Sequence, residues 1–240
     1  MAISVRYAAG STRRRPDHLD HLSSVVPSIP YKEVFLFASV VVWILTARTA
    51  SERWGPWLGA QLIIALVVES LASVSGYHGL NNHTLYNAYI VLEFILINGM
   101  LVRSRTNGSI PKWVMIAGCI AYLSALIWNI VVSYPDPGLW TTTLIIGGSL
   151  LGIHAAHVLF HMANDGQRRL LSTPVFWVVL AVMVYFFTFI PVFGLYNYLT
   201  SHSEELANRV YRTNDLLFVL RYGLTLVGLI RLRMDRPSHK

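Results

Sequence analysis

Four ionisable side chains stand inside stretches that are otherwise apolar. Glu69 occurs in LVVESLAS, Glu93 in YIVLEFIL, and Asp215 and Arg221 in NDLLFVLRYG. A charge at bilayer depth costs at least about 2.5–3.5 kcal/mol on insertion scales, so such groups face a protein interior and find partners there. Carboxyls in an apolar cavity suit acid–base work or the binding of a cation. An unpaired one takes up a proton and can donate it, whereas one beside an arginine stays ionised. The competing reading is a buried ion pair, Glu93 with Arg221, that fixes helix register and nothing more. Three acids and one base exceed what a register lock needs. The pattern favours a ligand cavity with Glu93, Asp215 and Glu69 as catalytic carboxyls.

At 1.5 Å per residue the depths of these groups can be compared. Glu69 and Asp215 lie roughly 10 Å below the outer surface, Glu93 roughly 14 Å and Arg221 roughly 18 Å. Asn129 and Tyr185 fall near the same layer and, with Arg221, are candidates for holding a substrate. A second set is His154, His157 and His161 in GIHAAHVLFHMAND. Spacings of three and four put them on one helical face. Imidazoles can bind metal or haem, but one helix seldom supplies a whole site. The plainer reading is a histidine face hydrogen-bonded to neighbouring helices, so no metal and no cofactor is expected. The sequence contains no Gly-x-Ser-x-Gly elbow, no His-Glu-x-x-His, no phosphate loop, and no lysine in the last apolar run to carry a retinal Schiff base.

The elements that must position these groups are long apolar runs. The chain has 240 residues, 54% hydrophobic and 13% charged. Soluble domains carry about 25% charged residues, so lipid is the expected solvent for most of this surface. Seven runs cover residues 32–48, 57–75, 84–103, 113–133, 139–162, 174–197 and 209–231. The last six reach the roughly 20 residues that a spanning helix needs. The first is uncharged only over 34–47 and must include Lys32 and Glu33 to span. Turn residues break the runs at 76–82, 107–108, 135–138 and 164–166, and such short loops make neighbouring helices antiparallel. The fold class expected is therefore all-α, a bundle of seven transmembrane helices, or six if the first run does not span. Residues 1–30 form a polar arm with three consecutive arginines and scattered prolines, expected to be disordered. Residues 31–233 form the transmembrane domain and 234–240 a basic cytoplasmic tail. Gly147, Gly148 and Gly152 allow close helix approach, which is packing and not chemistry.

Charge sets the orientation. The odd loops and the tail hold eleven Lys and Arg, and the even loops only Arg209 and Arg212. The positive-inside rule then puts the C-terminus in the cytoplasm and the N-terminus outside, in the cell membrane. Trp54, Trp57, Trp113 and Trp177 near the cytoplasmic ends and Trp140 near the outer end agree, as interfacial anchors. The basic arm opposes this order, which leaves the six-span alternative open. The same topology accounts for the formal charge of +7, and nucleic acid is excluded as a partner. The single cysteine, Cys119, precludes an intrachain disulfide.

The segments NNHTLYNAYIVLEFIL (81–96), PVFWVVLAVMVYFF (174–187) and NDLLFVLRYGLTLVGLI (214–230) resemble a recurring pattern in small polytopic bacterial membrane proteins without assigned function. That resemblance implies a helical membrane bundle and no activity. A looser similarity, in architecture alone, is to the membrane-bound terpene cyclases, whose paired intramembrane acids protonate an isoprenoid; Glu93 and Asp215 stand at the corresponding acids. Alkaline ceramidase-like hydrolases share the topology but use histidines on a late helix with a serine and an aspartate, an arrangement absent here. The expected function is an enzyme doing acid–base chemistry on a lipid-soluble substrate, in contact with membrane lipid. The alternatives are a ligand sensor acting through a signalling partner protein and a proton-coupled transporter. The halves show no internal repeat, which counts against the transporter.

Overall fold

The structure, a computed structural model, describes residues 31–47, 52–78, 80–104, 112–132, 138–164, 170–200 and 203–234. The N-terminal arm, residues 235–240 of the basic tail and most of the turn residues between helices lie outside the described residues. Seven α-helices make up nearly all of the rest: α1 Tyr31–Ala47, α2 Gly55–Tyr77, α3 His83–Arg103, α4 Lys112–Val132, α5 Thr141–Asn164, α6 Pro174–Thr200 and α7 Glu204–Met234. One turn of 3₁₀ helix, Leu170–Ser172, precedes α6. The described residues are all-α, as expected. Helices α2 to α6 are long and apolar enough to cross a membrane.

Two boundaries differ from the hydropathy pattern for local reasons. Helix α5 starts at Thr141 and not at 139, because the Trp140 amide donates to the Asn87 Oδ1 atom at 3.0 Å. Asn87 also donates from Nδ2 to the Gly138 carbonyl at 2.9 Å, so residues 138–140 are strapped onto α3. Helix α7 begins at Glu204, five residues before the apolar run. The sequence of its first turns, EELANR, is polar. Hydropathy registers only the apolar remainder. Pro174 opens α6, where its missing N–H costs nothing.

Helix adjacency runs in a closed circuit: α1 beside α2, α2 beside α3, α3 beside α5, α5 beside α6, α6 beside α7, and α7 back to α1. Helix α4 stands outside this circuit against α5. Its Tyr122 ring stacks flat on Phe94 of α3, with centroids 3.8 Å apart and planes within 6°. Only 17% of its apolar window is buried within the protein, against 44–50% for the other four, so α4 is peripheral.

We call the end of the bundle where α1 starts the upper end. Helices α1 and α7 run parallel. Lys32 meets Asp215 and the Ser39 hydroxyl donates to the Tyr222 carbonyl, and both pairs are separated by 183 residues. A constant separation is the mark of parallel register. The α6–α7 pair is antiparallel: Tyr185 packs edge-on to Phe218, while Gly228 faces Pro174 further down. There, a Cβ on Gly228 would lie 2.8 Å from the Pro174 carbonyl oxygen, so only glycine allows this approach.

The core fills the circuit with large side chains, including Tyr86, Ile97, Met100, Val178, Phe189, Tyr222 and Leu229. The outer faces are also apolar. Phe37, Ile44, Val67, Leu71, Ile95, Ile120, Leu123 and Ile127 are all exposed. An apolar surface this continuous calls for an apolar surrounding.

Candidate functional site

Glu93 is the eleventh of the 21 residues of α3 and is buried. Tyr89, one turn earlier, lies on the same face and donates from its hydroxyl to Glu93 Oε1 at 3.0 Å. Arg221 Nη1 of α7 donates to the same oxygen at 2.7 Å. Gln61 Nε2 of α2 donates to the Tyr89 hydroxyl at 3.3 Å. The guanidinium lies over the Tyr185 ring at 4.6 Å, with Tyr222 at 5.5 Å and Phe186 at 5.6 Å. Thus α3 and α7 meet at one carboxylate, α2 joins through the Tyr89 hydroxyl, and Tyr185 and Phe186 of α6 with Tyr222 of α7 supply the aromatic faces. Charge-assisted bonds and ring faces together replace the water that both charges have lost. Beside them is a void of about 10 Å³ lined by Gln61, Arg221, Thr225 and apolar side chains. That is room for about one water and not for a substrate.

The other two acids are held elsewhere. Lys32, at the upper end of α1, has its Nζ atom 3.4 Å from Glu69 Oε2, 3.6 Å from Glu33 Oε1 and 3.9 Å from Asp215 Oδ1. The Lys32 and Glu69 side chains are nearly buried, whereas that of Asp215 is 49% exposed. The single layer expected from depth alone is therefore two centres. Glu93 pairs with Arg221, while Glu69 and Asp215 gather around Lys32. The reason is the helix order: α1 lies between α2 and α7 and carries its ammonium to the acids of both. Tyr185 belongs to the first centre. Asn129 belongs to neither, because its Nδ2 atom donates to Thr143 Oγ1 at 3.0 Å and to the Ala125 carbonyl at 2.9 Å, joining α4 to α5.

An opening with several polar side chains in its wall lies elsewhere again. A pocket of about 240 Å³ sits between α3, α4 and α5. Its walls are apolar, with Phe94, Met115, Leu150 and Ile153 among them, and its polar lining is Asn98, His154 and His157. The buried His154 Nδ1 atom is 2.8 Å from Asn98 Oδ1. The contact couples the orientation of the amide to the tautomer of the ring. The Phe94–Tyr122 stack bounds the pocket above, and Tyr122 donates to the Ile90 carbonyl at 3.4 Å. Cys119, exposed, stands at its edge. The exposed Ile116 and Ile120 flank that edge, so the mouth faces sideways out of the bundle.

The histidine face thus does what neighbouring-helix bonding requires for His154. His157 and His161 pack edge to face at 4.4 Å. Among the described residues no group of three or more His, Cys, Asp or Glu is arranged to hold a metal ion. Sequence reasoning missed Lys32 as the hub of the upper cluster, and Asn98, Tyr89 and Gln61 altogether. Tyr89 had a signal, since it lies four residues before Glu93. Asn98 had one too, as an amide inside the apolar run LINGM. No family model, curated protein or solved structure matches this chain.

Proposed function

We propose that this protein spans the membrane seven times, takes a lipid-soluble molecule from the bilayer into the α3–α4–α5 pocket, and exchanges a proton with its polar group through His154. The observation that carries this reading is the 2.8 Å His154–Asn98 contact in the wall of a 240 Å³ pocket whose mouth lies among exposed apolar side chains. An imidazole held by an amide has a fixed ring orientation, and imidazole is the side chain most often used as a general acid or base. Acid–base chemistry falls to His154 because Glu93 is already engaged by Arg221 and Tyr89, and Asp215 by Lys32. The pocket is slightly smaller than usual small-molecule sites of about 300–1,000 Å³. It therefore suits a ring or a length of chain, including an isoprenoid, with one hydrogen-bonding head.

A ligand sensor is the second reading, and one contact favours it. Phe94 lines the pocket and follows Glu93 directly in the chain. A ligand that parts Phe94 from Tyr122 moves the residue next to the central ion pair.

Lipid extracts from cells with and without the gene separate these readings. An enzyme shifts a substrate–product pair, whereas a sensor leaves the lipid profile unchanged and copurifies with its ligand. In either case the extract should slow alkylation of Cys119 in purified protein severalfold. Unchanged lipids together with unaltered Cys119 alkylation would sink both.

Seven spans rest on α2 to α6 by length and hydropathy, and on the parallel lie of α1 along α7. The excess of Lys and Arg in the odd loops supports an outside N-terminus. Single cysteines placed in a Cys119→Ala background should react with an impermeant thiol reagent in loop 134–138 and not in loop 103–112. The reverse pattern overturns the orientation.

A further inference from the structure

We infer a binding site for an anionic glycerophospholipid at the lower end of the bundle, between α1, α2 and α7. The site is separate from the α3–α4–α5 pocket and rests on the proposed orientation only in that this end faces the anionic cytoplasmic leaflet. A slot of about 300 Å³ opens there, lined by Trp43, Thr46, Trp54, Ile63, Leu229 and Leu232, with the start of α2 as its floor. Its walls are almost wholly apolar and suit an acyl chain.

The slot is held open by fixed parts. The Trp43 ring lies against Gly59, where any side chain would collide with it. Its indole Nε1 donates to the Gly55 carbonyl at 3.0 Å, which locks the ring across the α1–α2 seam. Trp54 is 3% exposed and tucked beneath. A rigid slot loses little side-chain freedom when it is filled.

Arginines are close at hand. Arg53 precedes the lining residue Trp54, Arg231 and Arg233 stand either side of Leu232 in the last turns of α7, and all three are exposed at this end of the bundle. One acid, the exposed Glu52, stands beside them. Arg103, at the same end of α3, is already committed to the Trp57 ring at 4.7 Å. Guanidinium groups bind phosphate oxygens in pairs, and basic clusters at the cytoplasmic surface attract anionic lipid. An apolar slot for a chain, capped by arginines at headgroup level, matches one molecule carrying both parts. A free phosphate has no use for the slot, and a zwitterionic lipid balances the rim's charge poorly.

The test uses full-length protein in nanodiscs containing phosphatidylglycerol and phosphatidylcholine in equal amounts. Lipid retained after gentle delipidation is measured by native mass spectrometry. Phosphatidylglycerol should be retained preferentially. Arg231→Gln with Arg233→Gln, on exposed side chains that folding does not need, should cut the preference by about tenfold or more. Ala60→Phe, at a further lining position, fills the slot and should lower retention of both lipids. His154→Gln should change neither. Equal retention of the two lipids by the unaltered protein, or an undiminished preference in the double arginine variant, overturns the site. If Ala60→Phe does not fold, the arginine variant alone decides.

Discussion

Replacing Glu93 by alanine should destabilise the protein by about 3–5 kcal/mol, because Arg221 is then left buried with its charge unpaired. Total stabilities are about 5–15 kcal/mol, so this one change removes a large fraction. The 2.7 Å bond from Arg221 and the 3.0 Å bond from Tyr89 converge on one oxygen, and both are lost together. Replacing both ends, Glu93→Leu with Arg221→Met, removes the unpaired charge and should recover most of the loss. Tyr89→Phe should cost only about 1 kcal/mol, the worth of one hydrogen bond. Thermal denaturation in detergent or nanodiscs of Glu93→Leu, Arg221→Met and the double gives the coupling energy. Losses that simply add would mean that the two charges do not depend on each other, against the geometry.

His154→Gln should lower turnover by about 10²- to 10⁴-fold, the usual range for loss of a general acid–base group. Glutamine keeps a polar group near Asn98 but cannot cycle a proton at neutral pH. Retention of the lipid substrate, followed by Cys119 protection, should persist in this variant. Asn98→Ala should reduce turnover less, since it frees the ring without removing it. Glu93→Gln serves as the comparison, and if it alone abolishes turnover while His154→Gln stays within twofold, the proton is handled at the central pair instead. The two variants thus assign the chemistry to one place or the other.

The helices were legible in the sequence because each apolar run is long and ends in turn residues. The run 84–103 became His83–Arg103, and the run 174–197 became Pro174–Thr200. The pairing of Glu93 with Arg221 was also within reach, since depth alone brings them near each other. The partition of the acids was not. Depth says how far along a helix a group lies and says nothing of which helices touch. Asp215 could be separated from Glu93 only by knowing that α1 lies along α7 and brings Lys32 with it. Asn98 stayed hidden for a similar reason. Its significance depends on α3 packing on α5 while α4 stands aside, and no periodicity within α3 encodes that. The histidine spacing gave a face, and the structure gave the amide that the face meets.

The side-by-side lie of α1 and α7 has a consequence in time. Ser39 and Tyr222 are joined across 183 residues, and the partners Glu93 and Arg221 across 128. At synthesis rates of about 5–20 residues per second, α1 waits roughly 10–40 s for its neighbour, and Glu93 waits roughly 6–26 s for its arginine. Through that interval a carboxyl sits in the nascent chain without the group that will neutralise it. Helices α2 to α6 can assemble as they emerge, but the circuit stays open until α7 arrives and joins both edges. Until then the edges of α1 and α3 that will receive Tyr222 and Arg221 must wait for the last helix to be made.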